Sequence, residues 1–355
     1  MRKGMRAMIA ANTAHRGCTG VGRAEPGSRR MWERLAVIVL FLMGHMLLAH
    51  DVAAVDRARP FRIGALTASW GPSPMIVGFR DGLLELGYRE DVDFVLGVRF
   101  TQGDLTALAE AARQLVQYGV DLIFTSEDVP AKAAQQATSQ IPIVFASVSD
   151  PVGMELVQSF ARPGGNITGV TDLSFELGPK RLEVFRDLIP ELKRVLFPYD
   201  IHDAYSARAA QAYRDAARRL GIELVERPVR SAEEAQTMLG QVRKGEVDGL
   251  LQPPSAGLNI PGLILKVTDQ QGIPAIFTGS FWTEQGALAS YGPDFHETGR
   301  QAARLADKIL KGAKPADLPV EVNAKIEFAI NLKTTKALGL TIAPEVLFQA
   351  DRVIR

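Results

Sequence analysis

Ser147, Ser149 and Asp150 are the residues of this chain whose types and spacing most directly suggest ligand chemistry. They follow Ile143-Val144-Phe145-Ala146, a short apolar run of β-formers that reads as a strand covered on both faces of a parallel sheet. Open α/β sheets bind ligands outside the carboxyl ends of their strands, which is where these three polar residues fall. The Asp150-Pro151 step stops the strand, and Pro151 pre-sets the φ of a first helical turn. The pattern predicts a helix over Val152 to Phe160, a turn over residues 162–166 and a further strand over Ile167 to Thr171. Hydroxyls and the free amides of helix starts are good hosts for a carboxylate or another anion.

Enzymatic chemistry finds little support. Upstream of residue 55 lies an expected export segment, described below, and beyond it only His202 and His296 remain, far apart and without an HxH or HxxxH companion. The single cysteine, Cys18, lies upstream as well, so a cysteine nucleophile and a disulfide are both excluded from the remainder. No GxSxG elbow, no GxGxxG after the first strand (the sequence there is GALTASWGPSP) and no GxxxxGK[ST] occur. The expectation is a binding protein, not an enzyme, with no cofactor and no metal.

Residues 1–34 are basic and glycine-dotted, and Leu35 to Ala49 form an apolar run of fifteen residues. That run is shorter than the ~20 residues of a comfortable membrane span. With Val52-Ala53-Ala54 behind it, it matches a cleavable secretory signal ending at Ala54, with Met31 as an alternative start. A retained signal anchor is the competing reading. No cysteine follows the apolar run, which argues against a lipoprotein and leaves a periplasmic protein. Residues 1–54 hold 8 Lys+Arg and 3 Asp+Glu, so 33 of the chain's 41 basic and 37 of its 40 acidic residues remain, a net charge of −4. The basic patch of a nucleic-acid binder is absent, so no nucleic-acid partner is expected.

Positioning the polar loops requires an alternation of strands and helices, and the chain supplies one from Phe61 onward. Strands are predicted near Arg62 to Thr67, Phe94 to Phe100, Val120 to Thr125, Ile141 to Ser147 and Ile167 to Thr171. Helices are predicted over Ser73 to Leu86, where Ile76, Phe79, Leu83 and Leu86 make one apolar stripe, and over Leu105 to Tyr118. A second unit follows, with helices over Lys180 to Leu188, Ala204 to Leu220, Ala232 to Arg243, Ile260 to Gln271 and Phe295 to Leu310. Its strands are Arg194 to Phe197, Ile222 to Glu226, Val247 to Gln252, Ala275 to Thr278 and Ala287 to Tyr291. The fold class is α/β, two doubly wound Rossmann-like lobes with parallel sheets.

The segments SDPVG, ARPGGNITGV, LASYGPD (Leu288 to Asp294), KILKGAKPADLPVE (Lys308 to Glu321) and INLKTTKALGLTI (Ile330 to Ile342) are collinear over residues 60–355. In them the chain resembles the tryptophan/tyrosine-type family of ABC-transporter substrate-binding proteins. The resemblance implies a type I periplasmic-binding-protein fold with three crossings, near Thr171 to Phe175, Tyr291 to Pro293 and Asn323 to Glu327. Lobe one is then residues 55–172 plus 294–323, and lobe two 173–293 plus 324–355. It also implies a monomeric solute-binding component of an importer, capturing a small molecule such as an apolar or aromatic amino acid or a related carboxylate and partnered by an ABC permease. Presentation of ligand to a sensory receptor is the alternative.

Candidate contacts in lobe one are Ser69 and Trp70 after the first strand, Thr125 and Ser126 after the third, Ser147, Ser149 and Asp150 after the fourth, and Thr171 and Asp172 at the first crossing. Ser, Thr and Asp at such places also cap helices, and Asp150 suits capping better than contact. Lobe two offers Tyr199 and Asp200, then Ser255 and Asn259 in PPSAGLN, and finally Phe281 and Trp282. Trp70 and Trp282 serve equally well as stacking faces or as core. Aromatic-amino-acid binders of the family carry small polar residues where this chain reads PYDIHDAYS, and an Asp-Asn pair where it reads PPSAGLN. That departure alters the hydrogen bonds that select an ammonium and a carboxylate.

Overall fold

The computed structural model describes residues 59–172, 174, 176–252, 258 and 262–355. The expected export segment lies outside them. Among the described residues no helix is long and apolar enough to cross a membrane.

Lobe one begins with β1 (Phe61–Thr67), α1 (Pro74–Glu85), β2 (Phe94–Phe100), α2 (Leu108–Gln117) and β3 (Leu122–Ser126). It continues with α3 (Asp128–Ala137), β4 (Ile143–Ala146) and β5 (Ile167–Asp172). Lobe two takes α4 (Leu177–Leu188), β6 (Arg194–Asp200), α5 (Ala204–Leu220), β7 (Glu223–Val229), α6 (Ala232–Gln241) and β8 (Gly249–Leu251). Then come α7 (Leu263–Gln271), β9 (Ala275–Phe277), α8 (Ser280–Glu284) and β10 (Ala289–Pro293). The chain returns to lobe one with α9 (Phe295–Leu310) and β11 (Glu321–Asn323), and ends in lobe two with β12 (Ile326–Asn331), α10 (Leu332–Ala337), α11 (Pro344–Gln349) and β13 (Arg352–Ile354).

The first sheet has the order β11-β5-β4-β3-β1-β2 and is parallel throughout. The second has the order β13-β12-β10-β9-β8-β6-β7. One of its pairings, β10 with β12, is antiparallel, which the expectation of purely parallel sheets did not include. The cause is local: β12 starts at Ile326 beside Pro293, the last residue of β10, so it can only run back along it.

Both faces of each sheet are covered, as continuous apolar strands require. In lobe one Ile63, Phe79, Phe94 and Phe124 pack on one face, and Leu66, Leu115, Ile123 and Phe145 on the other. In lobe two Phe185, Phe197 and Tyr213 belong to one cluster, and Leu196, Leu250 and Phe277 to another.

Two predicted helices change on folding. Val152 to Phe160 is not a helix, because the Pro151 carbonyl accepts from both Leu156 N (2.9 Å) and Val157 N (3.1 Å) while Glu155 takes a left-handed φ of 55°. The chain makes one turn there and drops Leu156 and Val157 into the core. The second helix starts at Leu108 and not at Leu105, because the Asp104 carboxylate accepts from Thr106 N (2.9 Å) and Ala107 N (3.1 Å) and holds a turn ahead of it. Leu86, assigned to the apolar stripe, is the C-cap of α1 and is 40% exposed.

Returning α9 to lobe one depends on a close helix contact. A Cβ on Gly78 of α1 would lie 2.0 Å from the carbonyl oxygen of His296, and one on Gly299 of α9 would lie 2.1 Å from that of Met75. The neighbours are backbone atoms, which cannot rotate away. Gly299→Ala is therefore expected to lower stability by about 1–3 kcal/mol or more, the cost of overpacking a filled contact. Urea unfolding measures it, and an unchanged midpoint would show that the two helices separate freely.

Candidate ligand-binding site

The carboxyl ends of both sheets face one another across a cavity of about 110 Å³. Lobe one contributes Ala68, Leu105, Glu127, Asp128, Ser147, Ser149 and Asp172. Arg181, Asp203, Tyr205, Tyr213, Gln252 and Thr278 come from lobe two, and Phe295 from the start of α9.

The lobe-one wall is built by the step from β3 to α3. Glu127 N donates to Ala146 O (2.8 Å), and the residue sits at φ 71°, ψ 176°, a region that is essentially glycine-only. Such strain costs on the order of 1–3 kcal/mol and is typical of binding loops. Ser147 is also left-handed, at φ 61°. Its Oγ donates to Asp172 Oδ2, and Asp172 Oδ1 accepts from Ser174 N (2.9 Å). Asp128 accepts from Ser149 N (2.7 Å) and Ser149 Oγ (2.6 Å).

On the facing wall, Asp203 caps α5 by accepting from Tyr205 N (3.0 Å). Arg181 reaches out of α4 and is only 3% exposed. Its Nε donates to Tyr291 O (2.7 Å) and its Nη1 to Tyr213 Oη (2.5 Å), while the buried Nη2 has no partner among the described residues. At the rim, Arg208 Nη1 of α5 meets Asp150 Oδ2 at 3.2 Å, an ion pair that links the lobes.

The lining thus carries four carboxylates and one guanidinium. Glu127 is half-buried by surface area, its accessible part facing the cleft, with protein packed around the rest. Burial first, and then the charges of Asp128, Asp203 and Asp172, push its carboxyl up to about 8. Burial likewise raises Asp203 to about 6, and Asp128 is raised by burial against the opposing pull of its bonds from Ser149.

Of the residues expected from sequence, the cavity gathers Ser147, Ser149 and Asp172. Asp150 stands at the rim, where it also accepts from Gly153 N (2.8 Å) in the turn after β4, and no helix follows for it to cap. Thr125 and Ser126 are buried behind the wall, and Ser126 Oγ donates to Thr67 Oγ1 (2.8 Å) instead of facing the cavity. Thr171 Oγ1 is spent on Val148 O (2.6 Å). Ser69 Oγ binds Gly71 O (2.7 Å) within its own loop, and Trp70 is likewise outside the lining. Tyr199 stacks on Phe197 (5.8 Å), and Asp200 shapes its turn by accepting from His202 N (2.8 Å). Trp282 is core, stacked on Phe277 at 5.2 Å, while Phe281 lines a separate groove beside His296. Ser255 and Asn259 lie outside the described residues.

Glu127, Asp128, Arg181, Asp203, Tyr205, Tyr213 and Phe295 escaped the sequence reading. For the first two a signal was present, since adjacent carboxylates stand at the carboxyl end of a buried strand, just before Pro130. Arg181 and Tyr213 carry no local signal, because each reads as one more residue on a helix.

A carboxyl held above its ordinary 4.5 keeps a proton in the native state that the unfolded chain has given up. Stability should therefore be fullest below pH 4.5 as far as Glu127 is concerned, and fall as pH rises toward 8, with Asp203 adding the same sign between 3.8 and about 6. The loss is on the order of a few kcal/mol. Glu127→Gln should flatten the slope between pH 6 and 8 in chemical unfolding, and an identical slope in the variant would remove Glu127 as its source.

Over residues 72–354 the chain matches the family described as ABC transporter substrate binding protein. It is 30% identical over 266 residues to a tyrosine-binding protein of Clostridioides difficile (strain R20291), covering 74% of this chain and 76% of that protein. Among solved structures it resembles the ABC domain from Streptococcus pneumonia in complex with L-Trp, at 29% identity and a TM-score of 0.71, covering 83% of this chain and all of the other. A ligand-free, open substrate-binding protein with adhesive properties from Clostridium difficile is 26% identical with a TM-score of 0.57, covering 83% of this chain and 99% of that one. Two α/β lobes joined by three crossings, with a cavity between them, and a family match over nearly all the described residues place this chain among the ABC transporter substrate-binding proteins of type I periplasmic-binding-protein fold.

Proposed function

We propose that the chain is the monomeric, extracytoplasmic solute-binding component of an ABC importer, exported by a signal cleaved after Ala54. It captures a small amino compound related to the aromatic amino acids between its lobes and presents it to a permease in the inner membrane. Catalysis plays no part in this role.

The observation that carries the reading is the interlobe cavity with Arg181 in its wall. Its guanidinium is the single positive charge among the lining residues and suits a guest with an acceptor oxygen. Leu105, Tyr205, Tyr213 and Phe295 give the same cavity apolar and aromatic faces. The tyrosine-binding relative and the L-Trp complex supply the ligand class. The chain superposes better on the L-Trp complex than on the ligand-free open structure, and the Asp150–Arg208 ion pair spans the lobes, both in keeping with a closed arrangement.

Native mass spectrometry of protein purified without added ligand should reveal a retained small molecule, and small-angle scattering should show expansion once it is removed by unfolding and refolding. A profile indifferent to ligand would exclude closure about the crossings. Arg208→Ala should weaken retention by about 0.2–1 kcal/mol, the worth of a half-exposed ion pair, with an effect that fades at high salt. Titration calorimetry at low and high ionic strength measures it.

A further inference from the structure

The lobe-one wall carries charge where an anion-binding loop would carry only hydroxyls and amides. Glu127 and Asp128 occupy the start of α3, the place at which free N–H groups would otherwise receive an anion. Three of the four lining carboxylates are engaged: Asp128 by Ser149, Asp172 by Ser147 and Ser174 N, and Asp203 as the cap of α5. The Glu127 carboxyl makes no hydrogen bond among the described residues. Arg181 lines the same cavity from lobe two, buried, its Nη2 without a partner among the described residues. The two lobes therefore bring to one cavity a carboxyl that lacks a donor among the described residues and the lining's single guanidinium.

We infer that the ligand carries a cationic nitrogen, an ammonium group, which docks on Glu127 of lobe one, and an acceptor oxygen that meets the guanidinium of Arg181 from lobe two. This deepens the importer reading above and rests on it. The charges facing Glu127 leave an anion no place on this wall: Asp128 lies next to it on α3, Asp172 at the end of β5 and Asp203 at the start of α5. Arg208 is drawn to Asp150 at the rim, Arg181 is held on the opposite wall by Tyr213 and the Tyr291 carbonyl, and Tyr205 is a neutral phenol. A metal ion is a poor alternative occupant, because no three His, Cys, Asp or Glu side chains among the described residues converge to hold one.

Docking of the cation has a proton balance. In the ligand-free protein Glu127 keeps its proton at neutral pH, its carboxyl being raised to about 8. An ammonium group placed against it favours the carboxylate, so Glu127–COOH and R–NH3+ become the ion pair plus one proton released to buffer. Uptake of the ligand should then tighten as pH rises from 6 to 8. An anionic or neutral guest would leave that proton in place.

Three matched probes test this on the chain from residue 55: L-tyrosine with both groups, tyramine with the ammonium alone, and 3-(4-hydroxyphenyl)propionate with the carboxylate alone. Titration calorimetry in two buffers of different ionisation enthalpy should show L-tyrosine binding at least tenfold tighter than tyramine, with proton release, and no binding of the propionate. Glu127→Gln should weaken L-tyrosine at least tenfold at pH 8 and abolish the proton release, while its melting temperature stays the same or rises because a repelled charge is gone. Binding of the propionate as tight as that of L-tyrosine, or amine binding that ignores Glu127→Gln, overturns the placement of the cation and leaves interlobe capture standing. If none of the three binds, the guest retained in native mass spectrometry decides: a basic nitrogen upholds the inference, and its lack overturns it. No probe bound and no guest retained would sink the capture reading together with this one.

Discussion

Asn323 ties together the three places where the chain passes between its lobes. It pairs with Asp172 in the register of β11 on β5, and its Nδ2 donates to Asp294 O (2.9 Å) and Thr298 Oγ1 (2.8 Å) at the start of α9. Asp294 N in turn donates to Lys325 O (2.9 Å), just before β12 begins beside β10. The crossings are thus one hydrogen-bonded seam and not three separate linkers. Asn323 is 1% exposed, so its bonds form without competition from water. The antiparallel turn in the second sheet follows from this seam.

The seam also reaches the cavity. Asp172 ends β5, stands opposite Asn323 and holds Ser147 Oγ and Ser174 N inside the cleft. A change in charge or position at the cleft is thereby one hydrogen bond from the crossings. Around it the fold tolerates features that oppose stability: Glu127 and Ser147 at positive φ, four carboxylates in one lining, and a buried Arg181 N–H without a partner among the described residues. The cores of the two lobes, covered on both faces of each sheet, are what allow a small region to hold that much unfavourable energy. Concentrating it between the lobes, where a guest can relieve it, is the physical form of a binding site.

The lobe arrangement and most elements were legible along the chain. The strands expected near Arg62 to Thr67 and Phe94 to Phe100 and the helices expected over Ala204 to Leu220 and Phe295 to Leu310 follow from local pattern and are found as β1, β2, α5 and α9. The segment after Pro151 was misread because its apolar residues satisfy a helical spacing, whereas its backbone is decided by one carbonyl that takes two donors and a left-handed Glu155.

By itself the sequence determined the α/β class, the family, the loop after β4 with Ser147 and Ser149, and Asp172 at the first crossing, since each is written in contiguous residues whose local preferences agree. Only the tertiary structure decided that Ser126 and Thr171 spend their hydroxyls on Thr67 and the Val148 carbonyl, that Trp282 packs on Phe277, and that Arg181 and Glu127, from different lobes, line one cavity. The reason is physical: periodicity reports which side of a strand or helix is covered, but not what covers it. Glu127 and Arg181 are 54 positions apart, and their opposed demands exist only because three crossings bring two separate sheets face to face.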